Sequence, residues 1–233
     1  MTIPSPIRTT AMYRAQLAAG ARFADDAGWR VADVYTSTHA ELAGAREGVA
    51  VSDVSACGKL GLRGEALESA AMKLTGRTAP PVGRMARERV NGAAVLACRL
   101  AADEMLLLTS AAEHVAVAAV LAGTAEAAGC LHVTDLTSAF AVVDLMGPTL
   151  PTLLERLVTV DLTALPPLGV VQGELARVHA IMIRLDEPTL PVVRVLVARE
   201  SGDFVWRTLA EAGSDLGLAP VGAAAHARLL AGR

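Results

Sequence analysis

Residues Tyr35 to Gly64 read YTSTHAELAGAREGVAVSDVSACGKLGLRG, and the fold class follows from the order of elements they contain. Tyr35-Thr36-Ser37-Thr38 supplies hydroxyl groups able to accept from the free amides that open a helix, and Glu41 follows Thr38 at capping-box spacing. A short helix ending near Gly48 is therefore predicted. Val49 to Val54 then reads as a strand, and Gly58 to Gly64 alternates like a half-buried one. Along the chain helices recur between strand groups while adjacent strands are often joined by short turns, which fits mostly antiparallel sheets better than a doubly wound parallel one.

The same grammar extends in both directions. Met12 to Ala27 is alanine-rich and predicts a helix, with Leu17 and Phe23 among its apolar positions and Gly28 as its stop. After Gly64, Glu65 to Leu74 predicts a helix closed by Gly76. Pro80 to Arg84 is a turn, Val90-Asn91-Gly92-Ala93 a hairpin, and Leu96 to Leu100 and Met105 to Thr109 are strands. A long helix over Ala111 to Ala128 precedes strands Leu131 to Leu136 and Ala139 to Leu145. Gly147-Pro148 breaks the chain, Thr149 caps a helix running through Val158, and Pro166 to Gly169 is a loop. Strands Arg177 to Leu185 and Val192 to Val197 flank Glu187-Pro188-Thr189, and helices Gly202 to Ala212 and Gly222 to Leu230 finish the chain. The expected class is α+β, with antiparallel-rich sheets and packed helices in two interlocked halves. Residues 1–233 form one unit with sub-halves 49–136 and 137–233.

Composition removes several functions. Hydrophobic residues make up 53% and charged residues 19%, which is a folded globular balance. Aromatics are 3% and net charge is −3, so the chain has neither stacking platform nor basic field for nucleic acid. Cys57, Cys98 and Cys130 lie far apart, which argues against both a disulfide framework and a metal site. Met1 to Pro6 lacks the basic and apolar regions of a signal peptide, and the apolar stretch Ala111 to Cys130 is broken by Glu113, His114 and Glu126. A cytoplasmic protein with no membrane span is expected.

Individual residues carry less. Gly58-Lys59-Leu60 lacks the remaining positions of a phosphate loop, so Lys59 reads as a solvent-facing lysine at the start of a strand. Cys57 has no base beside it in sequence and reads as a buried, inert thiol. His114 reads as a satisfied residue on a helix face. Asp53 and Asp135 lie in or at the ends of apolar strands, where a carboxylate must be paired or hydrogen-bonded; a site role and the capping of a neighbouring turn both remain open.

The Tyr35 to Gly64 stretch resembles the glycine-cleavage T-protein (aminomethyltransferase) family, which includes the folate domains of sarcosine and dimethylglycine oxidases and dehydrogenases. Arg46, Val49, Asp53, Val54, Ser55, Gly58, Lys59 and Gly64 carry the match. Asp135-Leu136-Thr137, Val142 to Pro148, and the closing pattern of Trp206, Leu209, Gly213 and Gly217 to Gly222 extend it in order along the chain. The resemblance implies a fold enclosing a channel for tetrahydrofolate, with a carboxylate near the pterin assisting one-carbon transfer from an amine. It also implies that Arg233 falls where members continue into a C-terminal barrel, which this chain is expected to lack. Three functional positions depart from the pattern. The family's catalytic Asp falls on Ala93 and Ala94, its pterin-binding Glu on Arg194, and its late Arg near His226. The Arg-bearing strand is similar to the small gamma-type subunits of heterotetrameric sarcosine oxidases.

Two functions follow from the resemblance. In one, the chain is a divergent tetrahydrofolate-dependent aminomethyltransferase or demethylase relative acting on a small molecule, with Tyr35, Asp53, Arg194 and His226 lining its ligand site and no metal. In the other, it is a non-catalytic gamma-like subunit of an amine oxidase or demethylase complex. A partner subunit or a homo-oligomer is compatible with either. Arg194 serves an anionic substrate or the folate glutamate tail on the first reading, and is an edge-strand surface charge otherwise.

Overall fold

The computed structural model describes residues 8–162, 164–186 and 190–231; the N-terminal residues 1–7 and the connection at 187–189 lie outside the described residues. The chain divides into two compact units, one comprising Met1–Ser55, Phe140–Pro167 and Gln172–Arg233, the other Ala56–Ala139 and Leu168–Val171.

The first unit begins with β1 (Arg8–Thr9), α1 (Tyr13–Ala18), β2 (Arg22–Asp26) and β3 (Trp29–Val34), whose strands form a small sheet in the order β1-β3-β2. The helix expected through Ala27 stops at Ala18, and the chain turns back as a hairpin. Ala27 and Gly28 both adopt the left-handed conformation (φ 45° and 82°), which matches the twist of paired strands. Gly28 thus makes a turn rather than ending a helix. Burial of Trp29, with the Arg8 guanidinium 4.9 Å from its ring centre, outweighs the helix preference of the alanines. Next comes α2 (Thr38–Glu47), ending at Gly48, and then β4 (Ala50–Asp53). The cap of α2 is Ser37, whose hydroxyl accepts the Ala40 amide at 3.2 Å. Glu41 does not complete a capping box with Thr38. Its buried carboxylate accepts the amides of Tyr35 (2.7 Å) and Thr36 (3.0 Å), and that of Gly222 (2.9 Å) 181 residues later.

The second unit contains β5 (Gly58–Arg63), α3 (Leu67–Thr75), β6 (Met85–Val90), β7 (Ala93–Ala101), β8 (Glu104–Thr109), α4 (His114–Ala128) and β9 (His132–Asp135). Its five strands run antiparallel in the order β6-β7-β8-β5-β9, and Asn91-Gly92 makes the expected left-handed hairpin turn. One core joins sheet and helices through Leu60, Leu62, Leu67, Leu107, Val117 and Leu121. The unit starts at Ala56 rather than 49 because β4 pairs with a later strand of the first unit.

That later part is β10 (Phe140–Met146), α5 (Leu150–Leu157), β11 (Val170–Leu175), β12 (Val178–Asp186), β13 (Pro191–Ala198), α6 (Gly202–Ala212), β14 (Ala219–Pro220) and α7 (Ala223–Leu230). Its sheet runs β11-β12-β13-β10-β4-β14, with β14 parallel to β4. Strand β11, unforeseen after the Pro166 to Gly169 loop, is followed by a turn in which Ala176 and Arg177 are left-handed. No helix among the described residues is long and apolar enough to cross a membrane.

Both units end a strand with the same device. The Asp53 carboxylate accepts the Ser55 amide (2.9 Å) and the Ser55 hydroxyl accepts the Val142 amide (2.8 Å). In the second unit, Asp135 accepts the Thr137 amide (2.8 Å) and the Thr137 hydroxyl accepts the Lys59 amide (3.1 Å). Asp-Val-Ser and Asp-Leu-Thr each turn the chain and satisfy the amide of a neighbouring strand.

The end of α2 meets the start of α5 backbone to backbone. A Cβ on Gly147 (φ 128°) would lie 2.3 Å from the Gly48 carbonyl oxygen, and a Cβ on Gly48 would lie 2.8 Å from the carbonyls of Leu216 and Gly217. Gly147→Ala is expected to lower the stability of the folded state by about 3 kcal/mol in urea unfolding, from strain and a backbone clash. Gly123→Ala, in open space on α4, should instead raise it by up to ~1 kcal/mol. Equal effects of the two substitutions would contradict this packing.

Candidate functional site

An acid and a base stand in the middle of otherwise apolar strands of the six-stranded sheet. Asp144 on β10 is directly opposite Arg194 on β13. The pair is bidentate: Arg194 Nε donates to Asp144 Oδ1 and Nη2 donates to Oδ2, each at 2.7 Å. His226 on α7 completes the group, with Nε2 2.8 Å from Oδ2. Asp144 has no exposed surface. Burial alone would raise its pKa, but the charge and hydrogen bonds of Arg194, joined by His226, outweigh that and hold the carboxyl well below the usual range.

His226 reaches this carboxylate because α7 is fixed at its start. The Gly222 amide donates to Glu41, and a Cβ on Gly222 would lie 2.1 Å from the Asp33 carbonyl, so the helix approaches β3 as closely as glycine allows. His226 lies one turn further on, its amide bonded to the Gly222 carbonyl.

Tyr35 and Asp53 belong to a different group. Asp53 accepts from the Gln16 side chain at 2.7 Å. Tyr35 is buried, and its hydroxyl has no hydrogen-bond partner among the described residues. Burial, with the Asp53 and Glu41 carboxylates, raises the pKa of the phenol, which stays protonated at neutral pH. The register pairs Val143 with Asp53 and Asp144 with Ser52, so alternation sends the Asp53 and Asp144 side chains to opposite faces of the sheet. The four expected ligand residues therefore do not converge: Arg194 and His226 meet on Asp144, and Asp53 points away from them.

Several residues sit differently from their sequence reading. Arg194 is no edge-strand charge, because β13 lies between β12 and β10 and the residue is 9% exposed. Lys59, expected to face solvent, is fully buried, with Nζ donating to the Cys57 carbonyl at 2.7 Å. Cys57 is half-buried, and Lys59 Nζ is 3.8 Å from its Sγ. His114 places Nε2 2.9 Å from Asp135, while its buried Nδ1 has no hydrogen-bond partner among the described residues. Ala93 and Ala94 open β7 just after the hairpin turn and offer no proton or charge. Among the described residues, no group of three or more His, Cys, Asp or Glu could hold a metal ion.

Sequence reasoning missed Asp144, Gln16 and Glu41. A signal for Asp144 was present: a lone acid in Val142-Val143-Asp144-Leu145-Met146 and a lone base in Val193-Arg194-Val195 each need a buried counterpart, and each is the other's.

Known proteins share this architecture. The glycine cleavage system aminomethyltransferase T from Bartonella henselae superposes with a TM-score of 0.83 at 18% identity, covering 94% of this chain and 60% of that one. A chain of the heterotetrameric sarcosine oxidase from Corynebacterium sp. U-96 superposes with a TM-score of 0.63 at 23% identity, covering 79% of this chain and 94% of that one. Aminomethyltransferases from Saccharopolyspora erythraea and Thermus thermophilus are 26% and 29% identical over 92% and 89% of this chain. The chain spans about three fifths of their length, 60% and 62%. The model of the GCVT N-terminal domain matches residues 12–231, and the chain belongs to that family.

Proposed function

We propose that this chain is a small-molecule-binding member of the family turned away from ordinary aminomethyl transfer, and that its ligand presents an anionic group to Arg194 and His226. The observation that carries the reading is the charge on β13, where a buried Arg194 is bound by Asp144 at the position the resemblance gives to a pterin-binding Glu. The N–H edge of a pterin is matched by a carboxylate, whereas a guanidinium only donates. The residues here do not fit a pterin in that mode, and no step is derived through tetrahydrofolate. Asp144 does not replace the missing acceptor, since it has no exposed surface to present to a ligand.

What the group exposes is part of the Arg194 and His226 side chains. Arg194 and His226 keep 11% and 12% of their side chains accessible, against none for Asp144. A guanidinium fork suits a carboxylate, so the ligand classes are small carboxylic acids and the glutamate tail of a folate. Asp144 is held ionised, and Ala93 and Ala94 have nothing to transfer, so none of these three positions supplies a proton. Three free thiols support placing the protein in a reducing compartment such as the cytoplasm.

A second reading rests on its own observation. The sarcosine oxidase chain of the same fold is covered over 94% of its length and belongs to a heterotetramer. On that reading the chain is a non-catalytic subunit that assembles with a partner.

Isothermal titration under reducing conditions with tetrahydrofolate, 5-formyltetrahydrofolate and glutamate separates the two. Micromolar binding of at least one ligand is expected, weakened about tenfold in Arg194→Lys and His226→Gln proteins whose melting temperatures confirm folding. Absence of binding at millimolar ligand, or binding that neither substitution weakens, would overturn the first reading.

The protonation state has its own consequence. The folded pKa of Asp144 is depressed, so its contribution to stability is complete above the ordinary carboxylate range and is lost as pH falls below it. Asp144→Asn is expected to cost about 3–5 kcal/mol at neutral pH and to flatten this acid dependence. Urea midpoints at about pH 7 and about pH 3 measure both effects; an unchanged acid slope would mean that Asp144 is not held ionised.

A further inference from the structure

The second unit holds a nucleophilic pair that the proposed site does not use. Cys57 and Lys59 flank Gly58 at the entry to β5. Lys59 is fully buried, which is rare for an ammonium group, and its Nζ is anchored on the Cys57 carbonyl at 2.7 Å. That anchor brings Nζ within 3.8 Å of the Cys57 sulfur. The glycine between them is closely packed: a Cβ on Gly58 would lie 2.3 Å from Thr109 Oγ1 and 2.5 Å from His114 Nδ1. Cys57 itself is half-buried, whereas Cys98 is buried and Cys130 is exposed.

The thiolate is the form of a cysteine that attacks peroxides. We propose that Cys57 and Lys59 form a peroxide-responsive site that closes a reversible sulfur–nitrogen bridge. In the first step the Cys57 thiolate attacks hydrogen peroxide. An S–O bond forms, the O–O bond breaks, hydroxide leaves, and sulfur is oxidised to the sulfenic acid while peroxide is reduced. In the second step the hydroxide released from the peroxide takes a proton from the Lys59 ammonium, and the resulting amine attacks that sulfur. The S–N bond forms, the S–O bond breaks, and the departing hydroxide leaves as water with a proton from the nitrogen. The product is a sulfenamide lacking one hydrogen from the thiol and one from the amine. A dithiol restores both side chains by attacking the same sulfur. The bridge ties two residues of one short segment, and it removes the ammonium charge from the interior while it lasts.

The experiment uses a protease as a ruler for the bridge. Lys59 is the one basic residue between Arg46 and Arg63, so trypsin cleaves residues 47–63 at Lys59 when its amine is free. After brief treatment of the folded protein with hydrogen peroxide, mass spectrometry of the digest is expected to show 47–63 uncut and lighter by the two lost hydrogens. That peptide should disappear on adding dithiothreitol, and should not form in Cys57→Ser protein. A dione probe for sulfenic acid should label Cys57 about tenfold faster than Cys130 in the same molecule, a comparison that needs no variant. Lys59→Arg keeps a cation but cannot close the bridge, so it should retain the labelling and accumulate over-oxidised Cys57. Normal cleavage at Lys59 after oxidation, or labelling of Cys57 no faster than that of Cys130, would overturn the proposal.

Discussion

A carboxylate with no exposed surface stands at the centre of a six-stranded sheet, and much of the first unit is arranged to keep it ionised. Left alone, Asp144 would take up a proton or destabilise the sheet, because burial of an isolated charge costs several kcal/mol or more. Arg194 answers from the next strand, directly opposite, with a two-point bond. His226 answers from a helix far away in sequence, which is why the placement of α7 matters more than its short length suggests. That helix is placed in turn by the Gly222 amide on Glu41, whose carboxylate also gathers the amides before α2. One buried acid therefore places demands on three strands and two helices.

The consequence for function is a separation of roles. A group that must stay ionised to hold the sheet together is a poor proton carrier but a firm support for its partners. Arg194 and His226 are oriented by Asp144 before any ligand arrives, and pre-ordered donors lose little freedom on binding. The family fold is retained, and on the proposed reading a change of charge on β13 is what redirects the scaffold to another ligand.

Much of the fold could be read in the sequence where local signals agreed with tertiary demands. The Asn91-Gly92 turn, Gly76 at the close of its helix, and the apolar strands of β8, β10 and β13 all fall where expected. The failures have physical causes. Alanine favours a helix over 12–27, but pairing around Trp29 supplies burial that local preference cannot register. Strand β11 has a polar, exposed alternate face and follows a proline-rich loop, so its pairing with β12 decides it. Lys59 looked like a surface residue because nothing nearby in sequence reveals that both faces of β5 are covered. At the candidate site, Arg194 and His226 were visible as departures from a pattern. The acid that joins them was hidden because it lies 50 residues from one and 82 from the other.

The measurement that bears most directly on this account is a double-mutant cycle on the central pair, using urea unfolding of Asp144→Asn, Arg194→Met and the combined variant. If the sheet depends on mutual neutralisation, each single change strands a buried charge or its donors, and the combined variant recovers part of the loss. A coupling energy of about 2–4 kcal/mol is predicted. Strict additivity, with the double variant losing the sum of the two single losses, would contradict the claim that Asp144 and Arg194 hold each other in place.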